Sequence, residues 1–174
     1  MKRVVITGLG AISPIGKNVE ELWDGILNKK CGIDEIKLFD STSFKTKLDA
    51  EVKNYNPLDY FDIKQAKRMD RCTQFAMIAA REAFKDSNIN SENTDLNRVG
   101  VFVSSGIGGL TTIQNQCKII FEKGNSRVSP MFIPMSIVNM PAGNITIDLG
   151  LKGESIAHVS ACASSTHSIG EAYR

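Results

Sequence analysis

The hydrophobic pattern of the chain switches between two periods. Continuous apolar runs at Val4–Thr7, 98–104 and 155–160 are typical of buried strands in a parallel sheet. Apolar residues spaced three or four positions apart predict helices over 18–28, 62–86, 110–122, 134–149 and 163–174, the fourth interrupted by Pro141 and Gly143. Strands that alternate with helices indicate an α/β fold with a mainly parallel sheet.

The first helix has the clearest start signal. Asn18 is a favourable N-cap residue, and Glu20 and Glu21 fall in the first turn, where acidic side chains are stabilising. After this helix, residues 31–60 follow neither period and contain Pro57, which predicts an irregular excursion from the core.

Basic side chains gather on one side of the predicted helix 62–86. At about 100° per residue, a continuous helix aligns four of them on one stripe: Lys64, Lys67, Arg68 and Arg71. The opposite face carries Thr73, Ala76, Met77, Ala80 and Phe84. The stripe is interpreted either as an ordinary solvated face or as a docking surface for an acidic partner.

Composition and charge exclude several classes of protein. The 174 residues are 42% hydrophobic and 23% charged with a net charge of +2, which excludes a strong polybasic surface for nucleic acid or membrane. No apolar run reaches about 18 residues, and the opening residues lack the shape of a signal peptide. A cytoplasmic protein is therefore expected. Residues 100–174 hold only nine of the 40 charged side chains, so this part is expected to be buried or to face another protein surface.

The cysteine pattern argues against a metal site. Cys31, Cys72, Cys117 and Cys162 include no Cys-x-x-Cys pair, and His158 and His167 are the only histidines. A zinc cluster is therefore not expected, and the cysteines are predicted to be reduced thiols. Most are expected to be small buried hydrophobic residues.

A glycine-rich loop links the first predicted strand to the first helix. Gly8 and Gly10 begin the Gly-x-Gly pattern of a dinucleotide fingerprint, which makes a nicotinamide-dependent oxidoreductase one alternative. However, Ser13 stands where that fingerprint needs a third glycine or alanine, and Pro14 follows it. The other interpretation is that the turn, which ends at Gly16, needs small residues for packing.

Cys162 stands where an apolar strand enters a helix rich in alanine and serine. Backbone N–H groups at a helix N-terminus favour a thiolate and can hold an oxyanion, whereas the alternative is a buried inert cysteine. His158 is about 13 Å away along an extended strand, and His167 is about 140° around the helix. Both are expected to be surface or packing residues, so the partners of a nucleophilic Cys162 would lie outside this chain.

Six motifs occur in order along the 174 residues: MKRVVITGLGAISPIG, FDSTSF, KRMDRCTQFA, SSGIGGL, SPMFIPMSIVNMPAG and VSACASSTHSIGEAYR. With these motifs the chain resembles the beta-ketoacyl-acyl carrier protein synthases, and most of all the type II elongating condensing enzymes. The resemblance implies that residues 1–174 are a ketoacyl synthase N-terminal domain, forming one half of a thiolase-like, layered αβαβα fold.

The resemblance also implies a function and a set of site residues. Cys162 matches the nucleophile that accepts an acyl group before decarboxylative condensation with malonyl-acyl carrier protein. Ile107 matches the floor of the acyl pocket, and Phe132 and Ile133 match residues that reach a neighbouring subunit's pocket. Four basic residues match positions that dock acyl carrier protein: Lys64, Lys67, Arg68 and Arg127. A homodimer is implied, and neither cofactor nor metal is expected.

The end of the chain affects the expected activity. Arg174 falls inside a helical pattern without a capping glycine, so the chain is expected to be a truncated N-terminal part of a longer protein. The family's two catalytic histidines, structural lysine and oxyanion loop belong to the C-terminal half, and His158 and His167 match none of them. The chain alone is therefore expected to be inactive. It is also expected to self-associate, because the charge-poor residues 100–174 would leave apolar surface uncovered without the C-terminal half. The remaining alternative is a half that only dimerises or docks carrier protein.

Overall fold

Seven helices and four short strands make up the regular structure of residues 3–174, the part of the chain that the computed structural model describes. Met1 and Lys2, which open the first motif, lie outside the described residues. The helices are α1 (Val19–Leu27), α2 (Ile63–Ala66), α3 (Arg71–Asp86), α4 (Leu110–Lys123), α5 (Phe132–Ser136), α6 (Met140–Asp148) and α7 (Ser164–Tyr173). The strands are β1 (Asp34–Glu35), β2 (Leu48–Asp49), β3 (Val101–Phe102) and β4 (Ser155–Ile156). Short 3₁₀ turns lie at Pro57–Asp59, Leu96–Arg98, Asn125–Arg127 and Ala161–Ala163.

The strands form two pairs. β3 runs parallel to β4, with Val101 opposite Ser155 and Phe102 opposite Ile156. The predicted strands within 98–104 and 155–160 are thus confirmed, although both are shorter than predicted. β1 and β2 form an antiparallel pair inside residues 31–60, where irregular chain was predicted.

The predicted buried strand at Val4–Thr7 is wrong for this structure. The segment has no strand pairing, and three of its side chains are 52%, 59% and 83% exposed: Val4, Val5 and Ile6. A parallel strand is stable only where neighbouring strands take up its backbone hydrogen bonds. Just after this segment, the N–H groups of Leu9 and Ala11 donate to α3 carboxylates instead of to a strand.

Helix α1 begins and ends as the sequence predicts. The Asn18 side chain accepts a hydrogen bond from the N–H of Glu21 at 2.7 Å, and Asn28 is the C-cap residue. The N-cap satisfies one of the four backbone donors that a helix N-terminus leaves unpaired.

The predicted helix 62–86 is two helices, α2 and α3, separated by a turn over residues 67–70. Asp70 causes the second start, because its side chain accepts a hydrogen bond from the N–H of Cys72 and so caps α3. The same carboxylate accepts two hydrogen bonds from Thr112 of α4, one from the backbone N–H at 2.8 Å and one from the hydroxyl at 2.6 Å. Asp70 therefore fixes the starts of α3 and α4 next to each other.

The buried side of α3 agrees with the prediction, whereas the basic stripe does not. Thr73 and Met77 are buried in the core. Arg71 leaves the stripe: its guanidinium lies 4.9 Å and 4.8 Å from the ring centres of Tyr55 and Phe75 and donates to the carbonyl of Val52. The predicted four-residue stripe is wrong because α2 ends at Ala66 and Arg71 begins a separate helix, α3.

The predicted helix 134–149 is also two helices, α5 and α6, but the division does not fall at Pro141 and Gly143 as predicted. The break between α5 and α6 falls at residues 137–139. Pro141 lies in the first turn of α6, where the missing N–H of proline is tolerated, so it starts a helix instead of interrupting one.

Helices α3 and α6 pack on each other and carry much of the core. Arg81 of α3 donates two hydrogen bonds to the carboxylate of Asp148 of α6, at 2.7 Å and 2.6 Å. The buried apolar side chains around this contact are Phe61, Met69, Met77, Ile78, Val101, Ala142, Ile145 and Leu151. No helix within residues 3–174 is long and apolar enough to cross a membrane.

Candidate active site

Cys162 lies in a tight turn between β4 and α7. The 3₁₀ turn Ala161–Ala163 leads directly into α7, so the predicted strand–cysteine–helix order is confirmed. The Cys162 side chain is exposed. Ala161, the residue before it, has φ of 49°, in the left-handed region that a residue with a Cβ adopts at a cost of about 1–2 kcal/mol. The turn that presents Cys162 is therefore strained.

Ser164 supports this strained residue from inside the protein. Its hydroxyl accepts a hydrogen bond from the N–H of Ser160 at 2.9 Å and donates one to the carbonyl of Ala161 at 2.8 Å. Ser164 is 3% exposed. Two such hydrogen bonds contribute about 0.5–1.5 kcal/mol each, which is enough to offset the left-handed conformation of Ala161.

Both histidines lie beside this turn. Nδ1 of His167 is 2.6 Å from the hydroxyl of Ser160, and the two imidazole rings are 6.4 Å apart between centres. The backbone N–H of His158 donates to the hydroxyl of Ser104, two residues after β3. Nδ1 of His158 is buried and has no hydrogen-bond partner among the described residues. The sequence argument placed each histidine only relative to Cys162, and it did not consider that the turn between β4 and α7 brings the two rings near each other.

A second serine pair holds α7 on the ends of the strands. The hydroxyls of Ser104 and Ser168 are hydrogen-bonded to each other, and Ser168 is buried. Sequence reasoning found neither this pair nor Ser164. The only available signal was the excess of serine around the cysteine, which gives no information about which hydroxyls point inward.

The loop that carries Ile107 reaches the Cys162 turn. A Cβ added to Gly106 would lie 3.9 Å from the Cα of Ala161, so the two loops are neighbours. On its other side the loop packs on the end of α5. Gly108 has φ of 88°, and a Cβ there would be 2.5 Å from the carbonyl oxygen of Ser136, so glycine is required. Ile107 is 61% exposed between these two contacts.

Helix α5 carries the other two predicted pocket residues. Ile133 is 58% exposed and Phe132 is half-buried. The N–H of Gly109 donates to the carbonyl of Ser136 at 2.9 Å, which ties α5 to the Ile107 loop. Residues of the predicted acyl pocket therefore lie on two segments that contact each other, one of which also contacts the Cys162 turn.

The predicted docking residues divide into two groups. Lys64, Lys67 and Arg68 are exposed on α2 and the turn after it. Arg127 is exposed just after α4, and the opposite end of α4 is the one that bonds Asp70. The 14 residues of α4 correspond to about 20 Å along its axis.

The Gly8–Gly16 loop is occupied by protein groups. A Cβ on Gly8 or Gly10 would lie 2.3 Å or 1.9 Å from carbonyl oxygens of α3, so these glycines allow close packing. Glu82 accepts hydrogen bonds from the N–H groups of Ala11 and Val19, each at 2.9 Å. A cleft of about 630 Å³ beside this loop is lined partly by carboxylates. Because the backbone donors already bind carboxylates, the loop is not a phosphate cradle for a nicotinamide dinucleotide.

Of the other three cysteines, two are exposed and one is half-buried. Cys31 and Cys117 are exposed, as is Cys162, so the prediction that most cysteines are buried is wrong. Cys72 is half-buried at the start of α3, where burial, followed by the nearby charge of Asp70, raises the pKa of its thiol to about 11. Within residues 3–174, no group of three or more histidine, cysteine or carboxylate side chains is arranged to bind a metal ion.

Comparison with solved structures identifies the class to which this fold belongs. A beta-ketoacyl synthase from Burkholderia phymatum STM815 superposes with a TM-score of 0.82 and 25% identity, over 99% of this chain and 43% of that one. A chain in the structure of a type II PKS acyl-carrier protein in complex with its ketosynthase superposes with a TM-score of 0.82 and 21% identity. The match covers 99% of this chain and 46% of the matched chain. The expected fold is confirmed: the chain is an α/β unit equivalent to the N-terminal half of a thiolase-fold ketosynthase.

The sequence comparisons identify the family. The profile "Beta-ketoacyl synthase, N-terminal domain" matches residues 1–174, and the chain therefore belongs to this family. It is 48% identical to 3-oxoacyl-[acyl-carrier-protein] synthase 2 of Staphylococcus aureus (strain N315), over 99% of this chain and 42% of that protein. The corresponding protein of Coxiella burnetii is 42% identical over the same shares of the two chains. The chain thus spans less than half the length of these curated relatives.

Proposed function

We propose that the whole protein to which this chain belongs is an acyltransferase of fatty acid synthesis that elongates acyl chains on acyl carrier protein. The observation that carries the proposal is the exposed Cys162 on the strained turn before α7, in a chain 48% identical to a 3-oxoacyl-[acyl-carrier-protein] synthase 2. The proposal includes a cytoplasmic location and no cofactor.

The proposed reaction has two stages. First, the thiolate of Cys162 attacks the thioester carbonyl of acyl-acyl carrier protein, and the carrier thiol leaves, so that the acyl group is bound to Cys162. Second, malonyl-acyl carrier protein loses carbon dioxide, and the resulting carbanion attacks the acyl carbonyl on Cys162. The Cys162 thiolate leaves, and the product on the carrier is two carbons longer.

The electrophilic groups for the second stage are proposed to belong to another part of the whole protein. Within the described residues, the ring of His167 bonds Ser160 beside the turn, and the backbone N–H of His158, not its ring, bonds the hydroxyl of Ser104. We therefore expect residues 1–174 alone to lack condensation activity. A half that only dimerises or docks carrier protein remains the second candidate for the isolated chain.

Ile107, Phe132 and Ile133 are proposed to line the acyl pocket. Their support is the packing of the Ile107 loop on both α5 and the Cys162 turn. Ile107 and Ile133 are more than half exposed, which an acyl chain or a second subunit would cover. Phe121 of α4, 89% exposed, adds to the uncovered apolar surface and supports the proposal of a homodimer.

Lys64, Lys67 and Arg68 are proposed to bind the acidic carrier protein, with Arg127 as a separate contact. Their support is exposure and sign of charge on a short segment, since α2 has only four residues. Such surface cations act mainly by steering a partner of opposite charge, and the effect weakens as salt screens it.

The decisive experiment is acylation of the whole protein with acyl-acyl carrier protein, followed by peptide mass spectrometry. The acyl mass is expected on Cys162, and Cys162→Ala is expected to abolish both acylation and condensation. Cys117→Ala is the matched control, because Cys117 is also an exposed thiol. Full condensation by Cys162→Ala would overturn the proposed function. Acylation of Cys162 in residues 1–174 alone, even without condensation, would show that the isolated chain is more than a docking half, because a docking half would not be acylated.

The docking surface is tested by charge reversal. Lys67→Glu with Arg68→Glu is expected to raise KM for acyl-acyl carrier protein about ten-fold at low salt, because steering changes association rates by roughly 10–10³-fold. The effect should shrink at high salt, and the KM of the double variant for small pantetheine thioesters should equal that of the wild type. The control, Lys29→Glu with Lys118→Glu, makes the same change in net charge at exposed sites elsewhere. Equal losses in both double variants would show that net charge, not this segment, sets the affinity.

A further inference from the structure

We propose that Ser164 is a positioning residue that holds the Cys162 turn in its reactive conformation. The inference rests on the proposed function of Cys162 and goes beyond it by assigning a role to a buried hydroxyl. Ser164 acts through the backbone of Ala161, the residue that precedes the cysteine.

The geometry of the hydroxyl carries the proposal. It bonds both sides of Ala161: it accepts from the N–H of Ser160 at 2.9 Å and donates to the carbonyl of Ala161 at 2.8 Å. Those two groups flank the φ and ψ torsions of Ala161, so the two hydrogen bonds resist rotation out of the left-handed region. Rotation there would turn the peptide that carries Cys162 and would move its sulfur.

The position of Ser164 suits this role. It is the first residue of α7 and is 3% exposed, so solvent does not compete strongly for its hydroxyl. Its hydroxyl is directed back onto the turn, where both of its hydrogen bonds lie, and it does not cap the N-terminus of α7. Without the Ser164 hydroxyl, the right-handed conformation of Ala161 should be about ten-fold more populated than the left-handed one.

The test measures the rate at which iodoacetamide alkylates Cys162 in the whole protein, relative to alkylation of Cys117 in the same molecule. Ser164→Ala is expected to lower this ratio about ten-fold, since it removes both hydrogen bonds to the turn. Ser168→Ala is the matched control: Ser168 is on the same helix, is 5% exposed and bonds Ser104 instead of the turn. Its ratio is expected to stay within about two-fold of the wild-type value.

A double variant separates positioning from general stability. Glycine adopts the left-handed region freely, so Ser164→Ala in an Ala161→Gly background is expected to lower the ratio by less than about three-fold. A merely structural role predicts the same loss in both backgrounds, and that result would overturn the proposal. An unchanged ratio in Ser164→Ala would overturn it as well.

A second pair of variants tests the hydroxyl itself. Ser164→Thr and Ser164→Val have nearly the same shape, and only the first keeps a hydroxyl. The threonine variant is expected to alkylate Cys162 several-fold faster, and equal rates would contradict the role of the hydroxyl even if Ser164→Ala does not fold. Alkylation needs no condensation, so a failure of this proposal is distinguishable from a failure to acylate Cys162.

Discussion

Replacing Asp70 with alanine is expected to destabilise the protein far more than removal of an ordinary helix cap. One carboxylate oxygen caps α3, and the other accepts two hydrogen bonds from Thr112, all in a site where Asp70 is 4% exposed. Loss of the cap costs about 0.5–2 kcal/mol. The N–H and hydroxyl of Thr112 would also lose their buried acceptor, at about 1–3 kcal/mol each. The expected total is about 3–5 kcal/mol after partial relaxation.

Urea unfolding of the whole protein measures this free energy against a matched cap. Asp62 caps α2 through the N–H of Gln65 at 2.8 Å but is exposed, so Asp62→Ala is expected to cost no more than about 1 kcal/mol. Adding Thr112→Val to Asp70→Ala should recover part of the loss, because it removes a stranded hydroxyl. The reasoning is refuted if the two aspartate variants differ by less than about 1 kcal/mol, or if Thr112→Val adds its full separate cost.

Three further predictions follow from the contacts and charges described above. Because burial raises the pKa of Cys72 to about 11, iodoacetamide at pH 8 should label Cys72 at least about ten-fold more slowly than exposed Cys31, and equal labelling would contradict its burial. The hydrogen bond from Lys53, with smaller contributions from the N–H of Glu35 and from Lys37, lowers the pKa of Asp34 to about 2. The contribution of this carboxylate to the stability of the β1–β2 segment should be fully present above pH 3.8 and lost as the pH falls through about 2, and an NMR titration midpoint of Asp34 near 4 would contradict it. Arg81→Lys should cost about 1–2 kcal/mol in thermal unfolding because lysine cannot donate the paired hydrogen bonds to Asp148, whereas an unchanged Tm would show that the pair contributes little.

Local chemistry was sufficient to predict some elements. Asn18 and the two acidic residues after it define the start of α1 without help from the rest of the protein. The strand–cysteine–helix order around Cys162 is similarly local, since an apolar run and a small-residue helix meet there. Where a signal depends only on neighbours in sequence, the prediction holds.

Other features depend on partners that are distant in sequence. The division of helix 62–86 requires Asp70 to bond both Cys72 and Thr112, and hydrophobic spacing carries no record of a contact 42 residues away. The apolar run at Val4–Thr7 has the composition of a strand, but strand pairing, not composition, defines a strand. The left-handed Ala161 was equally invisible, because alanine gives no local indication of that conformation.

The parallel pairing of β3 with β4 has a consequence for synthesis of the chain. Val101 can pair with Ser155 only after about 54 further residues, from 102 through 155, have been made, which takes about 3–11 s at roughly 5–20 residues per second. During that interval β3 has an unpaired edge, and the loop after it has no Cys162 turn to contact. A chaperone that binds exposed strands would therefore find this nascent chain most accessible between the emergence of β3 and that of β4.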